Sequence, residues 1–155
     1  MNRLLKAQAQ LANKPFGKKI FSYVVARAAP FFLTIRPSIE ELRPNYMRTS
    51  MKIRRKVHNH LKGVHATAIC TLCEFAAGVC MEASVPKHRR WIPIGMNIAY
   101  IKLGRTDLVA TCDLGEVNWD EVEKVDCPVV VKDMNDVTIV EATIEMKVSD
   151  KPNKN

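Results

Sequence analysis

The sequence has no long hydrophobic run that is free of charge. The longest stretch without Lys or Arg, residues 63–86, contains two glutamates, and the apolar stretch 20–35 is interrupted by an arginine and a proline. Each charge at the centre of a bilayer costs about 3 kcal/mol, so we expect no membrane span. Residues 1–19 lack an apolar core of signal-peptide length, and we therefore expect a cytoplasmic protein.

Acidic residues are almost absent from the first third of the chain. Residues 1–56 contain 13 Lys and Arg but only Glu40 and Glu41, a net charge of +11, whereas residues 57–155 carry −3. This asymmetry favours an anionic partner: the phosphates of a cofactor, nucleic acid or an acidic membrane surface. Aromatic residues make up only 6% of the chain and do not alternate with Lys or Arg, so nucleic acid is not the expected partner.

The cysteines are too few and odd in number for a disulfide framework. In a cytoplasmic protein we expect five reduced, buried thiols, Cys70, Cys73, Cys80, Cys112 and Cys127. We also expect no metal site. His58, His60 and His65 lie close in sequence, but Cys70 and Cys73 are three residues apart inside a helical pattern, and no second Cys or His pair follows at zinc-site spacing.

The length of 155 residues and the 47% hydrophobic content are typical of one soluble domain. We divide the chain into an N-terminal helical extension (1–30), a core (31–150) and a frayed tail (151–155). Apolar residues four apart predict a helix over 16–29 that ends at Pro30. A second, longer helix is predicted over 65–83, with its polar positions Thr67, Thr71, Glu74, Gly78 and Glu82 along one narrow stripe.

The rest of the core reads as β-structure. Alternation of apolar and polar residues predicts strands at 31–36, 46–55, 91–102, 106–117, 127–132 and 137–148. Residues 37–44 are predicted as a connection, and turns are expected at 102–105, where Gly104 lies, and at 133–136. The fold class is therefore α+β, an antiparallel sheet around one long central helix.

Glu74 is the main candidate for chemistry. A carboxylate in the middle of an apolar helix is costly to bury and must be paired, protonated or directed into a cavity. In a pocket, such a group can act as a general base or nucleophile. The alternative is a structural Glu that is hydrogen-bonded to the backbone, to Asn59 or to a Thr.

The start of the same helix is the second candidate. The amides of His65 and Ala66 lie in the first turn, where backbone donors are free and the helix dipole is positive, so they could stabilise a carbonyl that gains negative charge. Gly63, just before, permits close approach of a ligand or a neighbouring chain. Basic residues that could bind phosphates are Lys87, Arg89, Arg90, Lys102 and Arg105; the alternative is a solvated charged turn.

The order Asn59, His65, Glu74 and then MNIAY (96–100) in a strand resembles the hotdog-fold acyl-CoA thioesterase superfamily. The likeness is closest to its phenylacetyl-CoA thioesterase-like branch and related uncharacterised hotdog proteins, and it covers residues 36–151. Members carry an Asn or Gln, then a His-Gly pair that opens the central helix, then Asp or Glu about two turns later.

The resemblance implies a role for each matching position. Glu74 would be the general base or nucleophile, the Ala66 amide would polarise the thioester carbonyl beside His65, and Asn59 would orient the water or the thioester. It further implies a homodimer or dimer of dimers with sites between subunits, and coenzyme A as part of the substrate rather than as a cofactor. In this sequence Ala66 replaces the usual Gly, Pro93 a Ser found in some relatives, and Gly78 a Thr.

These features leave three hypotheses. The first is a thioesterase acting on acyl-CoA or acyl-carrier thioesters, and the second is a non-catalytic acyl-CoA- or lipid-binding hotdog module. The third is a hotdog hydratase, which is disfavoured because those enzymes use a paired Asp and His, and no Asp occurs before Asp107.

Overall fold

The computed structural model describes residues 2–152, which form a helical N-terminal region and a six-stranded sheet that packs on a long helix. The helices are α1 (Arg3–Ala12), α2 (Gly17–Ala28) and α3 (Ala66–Ser84), with short 3-10 helices at Pro30–Thr34 and Arg55–Val57. The strands are β1 (Ser38–Arg43), β2 (Tyr46–Met51), β3 (Arg89–Tyr100), β4 (Leu108–Asp113), β5 (Lys124–Asp133) and β6 (Thr138–Asp150).

The sheet is antiparallel throughout, in the order β1-β2-β4-β5-β6-β3. In β6 the residues Val140, Ala142, Ile144 and Met146 are buried against the helix, and the residues between them face the opposite side. This is the alternation predicted from the sequence. The hairpin turn between β5 and β6 lies at 133–136, also as predicted.

α3 forms the centre of the core, and its bounds differ from the prediction by one residue. Its Ala-, Cys- and Leu-rich sequence lets the sheet approach closely, and Leu72, Phe75 and Ala76 are fully buried. Among residues 2–152, α3 is the one helix long and apolar enough to cross a bilayer, but 61% of its apolar window is buried inside the protein. Its hydrophobicity is therefore explained by the core.

The N-terminal region contains two helices rather than the single one predicted. α2 lies where the four-residue spacing placed it, and α1 precedes it with Asn2 as its N-cap. α2 packs against β1, where the hydroxyl of Ser22 accepts a hydrogen bond of 2.8 Å from the buried amide of Ile39. One edge of the sheet is thus covered by the chain itself.

Three predictions about the strands were wrong. Residues 31–36 form the 3-10 helix Pro30–Thr34 instead of a strand, because Pro30 at its first position favours helical backbone and Phe32 packs edge-on against Phe75. Residues 38–43 form strand β1 rather than a connection. The segment 102–105 is not a hairpin turn: β3 pairs with β6, and β4 pairs with β2 and β5, so the connection crosses the sheet.

Candidate functional site

One side of α3 is not covered by the sheet. The half-buried residues Cys70, Glu74 and Gly78, spaced four apart, lie along it. β3 runs beside this line as the outermost strand, and its inward-facing side chains approach the helix from the same side. Beyond β3 no further strand follows in residues 2–152, so the surface between β3 and the line of Cys70, Glu74 and Gly78 on α3 is open to solvent. We refer to this surface as the strip.

Contacts between α3 and β3 mark out the strip from end to end. The Tyr100 hydroxyl donates to the carbonyl of Ala66 at 3.1 Å, the Cys70 Sγ lies 3.3 Å from the Met96 Sδ, and the Trp91 indole donates to Glu82 at 3.3 Å. Glu74 lies between the last two contacts. No role was predicted for Cys70, Met96 or Tyr100, although residues 96–100 carry the resemblance and the two-residue alternation places Met96 and Tyr100 on the same face of β3.

The exposed line differs in one position from the polar stripe predicted from the sequence. Thr71 is buried, and its hydroxyl donates to the carbonyl of Thr67 instead of facing the strip. Cys70, expected among the inert core thiols, takes its place on the line because residues 70, 74, 78 and 82 follow each other at four-residue steps. Burial, together with the charge of Glu74, raises the pKa of the Cys70 thiol.

Glu74 is half-buried and faces the strip without a partner. Among residues 2–152 no hydrogen bond or ion pair to its carboxylate is formed. The structural alternative, a Glu held by Asn59, a Thr or the backbone, therefore finds no support in the contacts. A carboxylate held without a partner at the side of an apolar helix is free to accept a proton from a bound molecule.

The start of α3 provides a second polar feature. His65 is the N-cap, and its Nδ1 accepts from the amide of Thr67 at 3.2 Å. The amide of Ala66 has no acceptor within residues 2–152. Ala66 lines an open groove of about 330 Å³ together with Asn59, Ile69, Tyr100 and Lys102, among other residues. A backbone donor at a helix N-terminus, directed into a groove, suits a carbonyl that develops negative charge.

Asn59 and Gly63 shape the loop before α3. The side-chain oxygen of Asn59 accepts from the amides of Leu61 and Gly63 at 2.9 and 3.0 Å. A Cβ on Gly63 would lie 2.6 Å from the side chain of Leu103, so the absence of a side chain lets the loop pack on the segment after β3. Both residues are therefore used in forming the loop that positions Ala66.

The structure places the predicted site residues in two groups. Asn59, His65 and Ala66 lie together at the start of α3, whereas Glu74 lies eight residues further on. At 1.5 Å per residue that is about 12 Å along the helix axis. A single carbonyl cannot contact the Ala66 amide and the Glu74 carboxylate of the same chain.

The predicted phosphate-binding residues also divide between the two ends of α3. Lys87 and Arg90 line a groove of about 580 Å³ with Arg3, Trp91 and Lys151, among others, beyond its C-terminal end. Lys102 and Arg105 are exposed near its N-terminal end.

Arg89 differs from its neighbours because it is 6% exposed. Its guanidinium donates to the carbonyl of Trp119 and lies 3.2 Å from the carboxylate of Asp150. These contacts favour a structural role for Arg89 at the start of β3.

The cysteines and histidines form no metal-binding group. Within the described residues 2–152, no three His, Cys, Asp or Glu side chains are grouped closely enough to hold a metal ion. All five cysteines are free, and Cys70 is the one that is not fully buried. Burial raises the pKa of Cys73 to about 12, and hydrogen bonds to Cys127 and Cys80, together with burial, raise the pKa of Cys112. These buried thiols are therefore unreactive and serve to pack the core.

A family model matches residues 17–148 of the chain, and the family is described as a domain of unknown function, DUF4442. No curated protein matches the sequence. The match covers α2, the whole sheet apart from the end of β6, and α3.

Solved structures resemble the chain over most of its length. The crystal structure of the structural-genomics protein APC5556 is 34% identical, with a TM-score of 0.84, over 96% of this chain and 98% of that one. The thioesterase HI1161 from Haemophilus influenzae is 9% identical with a TM-score of 0.74, over 88% and 93% of the two chains. A variant of the thioesterase enzyme SAV0944 from Staphylococcus aureus is 17% identical with a TM-score of 0.70, over 80% and 100%. The expected hotdog fold is thereby confirmed.

Proposed function

This chain belongs to the DUF4442 family and has the hotdog fold of thioesterases, and we propose that it hydrolyses acyl-CoA or acyl-carrier thioesters with Glu74 as the general base or nucleophile. The observation that carries this proposal is the half-buried carboxylate of Glu74, which faces the open strip between α3 and β3 without a hydrogen bond or ion pair in residues 2–152. The names of HI1161 and SAV0944 support the same reaction class.

The chemistry needs a base and a donor. As a base, Glu74 takes a proton from water while the water oxygen attacks the thioester carbonyl. The carbonyl oxygen gains negative charge, for which the Ala66 amide is the matching donor. The C–S bond then breaks as Glu74 returns its proton to the departing sulfur, so the carrier leaves as a thiol and the acyl group leaves as a carboxylic acid.

The donor and the base come from two copies of the chain in this proposal. They lie about 12 Å apart along α3 in one chain, too far to act on one carbonyl. β3 is an uncovered edge strand with a free row of backbone groups, and a second copy paired along it with reversed direction would bring its own α3 beside the first. We therefore propose a homodimer, in which Glu74 of one chain faces the Ala66 amide of the other, and leave open its pairing into a dimer of dimers.

Coenzyme A would be held by the basic residues around the strip. Lys87 and Arg90 are available in the groove beyond α3, and Lys102 and Arg105 are available near its start. Arg89 is not proposed, because its guanidinium is already bound to Trp119 and Asp150. No metal or cofactor takes part in this proposal.

A non-catalytic acyl-thioester-binding module is the second candidate. It is favoured by Asn59, whose side-chain oxygen is already bound to two loop amides and is not free to orient water. Ala66 also carries a methyl group where relatives have Gly. In this case the strip would bind the thioester and leave it intact.

Turnover of a panel of acyl-CoA esters, followed with a thiol-trapping dye, tests the proposal. We expect hydrolysis by the wild type, and a fall in kcat of about 10²–10⁴ for Glu74→Gln, the range for loss of a positioned acid–base group. The variant should stay folded, because a neutral amide costs less to bury than a carboxylate. Glu116→Gln makes the same chemical change at an exposed position in the loop between β4 and β5, away from the strip; it is the matched control and should keep full turnover.

Two outcomes would contradict the enzymatic proposal. Undiminished hydrolysis by folded Glu74→Gln removes this residue from the mechanism. Saturable binding of acyl-CoA by the wild type without thiol release establishes the binding module instead.

A further inference from the structure

α2 turns an apolar side to solvent. Its inner side buries Phe21, Ser22 and Ala26, and its outer side exposes large hydrophobic residues. The exposed fractions are 73% for Phe16, 47% for Ile20, 56% for Tyr23, 57% for Val24 and 69% for Phe31, which follows the helix. We refer to these five residues as the α2 apolar stripe.

The spacing makes four of these residues one continuous surface. Ile20, Tyr23 and Val24 are separated by three and one residues, so at 100° per residue they project from one side of the helix, and Phe16 precedes Ile20 by four residues at the N-cap. A soluble protein seldom exposes so many large apolar groups together unless something binds there. These four side chains are exposed and are not part of the buried core.

Positive charge surrounds the stripe. Lys19 and Arg27 lie on α2 itself, and the Lys19 ammonium is 5.6 Å from the centre of the Phe16 ring. Near Phe31, Arg54 donates to the carbonyl of Thr34, which lies in the same 3-10 helix as Phe31. Arg36 is close enough to Arg54 for the two charges to interact. Within residues 2–152 this end of the molecule is strongly cationic.

The acids of this region do not offset the charge. Glu40 and Glu41 are the sole acids among residues 1–56, and each is in an ion pair, with Lys18 and Arg43 respectively. The α2 apolar stripe is therefore an apolar surface whose neighbouring Lys and Arg outnumber the acids of residues 1–56.

We propose that the α2 apolar stripe and its basic rim bind the surface of a bilayer that contains anionic phospholipids. Apolar side chains that enter the acyl boundary and cations that meet the headgroups are the two requirements for an interfacial helix. Each Lys or Arg near an anionic surface strengthens binding roughly five-fold.

The charge argues against the other occupants of this surface. In a two-fold contact between copies, the same residues meet across the axis, so the basic rims of the two chains would repel each other. For a nucleic acid, stacking uses aromatic planes, whereas Ile20 and Val24 are aliphatic and central in the stripe. An anionic bilayer matches both the apolar and the cationic parts.

The stripe also lies near the candidate site. A groove of about 230 Å³ is lined by Phe31 and Lys56 together with His65 and Thr67 at the start of α3. A protein seated on a bilayer by this surface would hold the start of α3 close to the lipid. Binding of the bilayer does not depend on the proposed hydrolysis, and the two can be tested separately.

Co-sedimentation of the full-length protein with vesicles tests the proposal. We expect binding to vesicles of phosphatidylcholine mixed with phosphatidylglycerol, weaker binding to phosphatidylcholine alone, and release by salt. The double variant Ile20→Gln/Val24→Gln should lose at least about ten-fold in partition coefficient, because its helix no longer inserts apolar groups. Lys19→Glu/Arg27→Glu should lose binding to the anionic vesicles selectively.

Matched controls lie elsewhere on the surface. Met134→Gln removes a hydrophobic side chain that is 64% exposed at the β5–β6 turn, and Lys147→Glu reverses an exposed charge on β6. Both should bind vesicles like the wild type. Turnover of a short, soluble acyl-CoA is measured on all variants, so that loss of vesicle binding is distinguished from loss of hydrolysis.

Three results would overturn the proposal. The first is a wild type that sediments with neither vesicle or equally with both. The second is unchanged binding of Ile20→Gln/Val24→Gln, which would leave the apolar stripe without a role. The third is a smaller assembly mass for that variant in the absence of lipid, since it would show that a second copy covers the stripe.

Discussion

The two edge strands of the sheet differ in length and in whether another element covers them. β1 is six residues long, contains an irregularity between Ile39 and Glu41, and is covered by α2. β3 is twelve residues long, and its exposed residues include Ile92 and Ile94. Edge strands left bare and apolar are sites of pairing with another chain, and natural proteins protect them when no pairing is intended.

This difference bears on the proposed dimer and on the proposed chemistry together. The covered edge needs nothing beyond the chain's own N-terminal region. The bare edge borders the strip that holds Glu74, and the Ala66 amide of the same chain is too far away to serve it. In the proposed dimer, a second copy on β3 would supply both the neighbour that this edge lacks and the donor that its site lacks.

Of the changes that test the edge comparison, blocking the β3 edge should have the largest effect. In Ile94→Lys a charge replaces an apolar side chain that is 54% exposed on the edge strand, and this should prevent pairing of copies. We expect a 17.5 kDa monomer by size-exclusion chromatography with light scattering, whereas the wild type is expected to be a dimer or larger. Turnover should fall by about 10²–10³, the usual loss for one oxyanion donor.

Met134→Lys provides the control for that experiment, because it introduces the same charge at an exposed apolar position outside the sheet edges. It should keep the wild-type mass and turnover. A fully active monomer of Ile94→Lys would contradict the two-chain site, and a monomeric wild type at micromolar concentration would remove it altogether.

Opening the covered edge should cost a moderate amount of stability. Ser22→Ala removes the acceptor for the buried Ile39 amide, and an unsatisfied buried donor costs about 1–3 kcal/mol in the free energy of unfolding. Urea denaturation at a fixed protein concentration measures it. Ser149→Ala, which removes an exposed contact to Arg90, should change the free energy by less than about 0.5 kcal/mol. Equal values for the two variants would show that α2 does not hold the β1 edge.

The sequence could predict those elements whose burial follows a regular pattern. Periodicity predicted α3 to within one residue at each end, and alternation predicted β6 with the correct buried face, because each pattern records burial directly. The hotdog resemblance supplied the way these elements assemble. The Ala66–Glu74 separation also follows from helix geometry alone.

The errors arise where contacts distant in sequence decide the structure. Residues 38–43 form β1 because β2 and α2 flank them, and nothing in the local pattern marks that pairing. Gly104 suggested a hairpin, yet β3 crosses to β6 at the far edge. Arg89 and Arg90 are identical in type and adjacent, and only the fold buries the first and exposes the second.

The smallest expected effect is a change in the alkylation rate of Cys70, which tests whether a partner covers the β3 edge. Cys70 lies under the β3 edge and is half-buried, whereas the other four thiols are buried. Burial and the charge of Glu74 raise its pKa, and the thiolate is the reactive form. Alkylation of the native wild type should therefore be slow at neutral pH, should increase as the pH rises above the ordinary range of a thiol, and should be confined to Cys70 when mapped by mass spectrometry.

A partner on the β3 edge would cover Cys70 further, so its alkylation rate should rise several-fold in Ile94→Lys relative to the wild type. Met134→Lys should alkylate at the wild-type rate, which separates loss of the partner from a change of charge. The rate must increase with pH in every variant, since the protonated thiol predominates below its raised pKa. Equal rates in Ile94→Lys and the wild type would mean that the partner does not reach the strip, and the donor for Glu74 would then have to be sought within one chain.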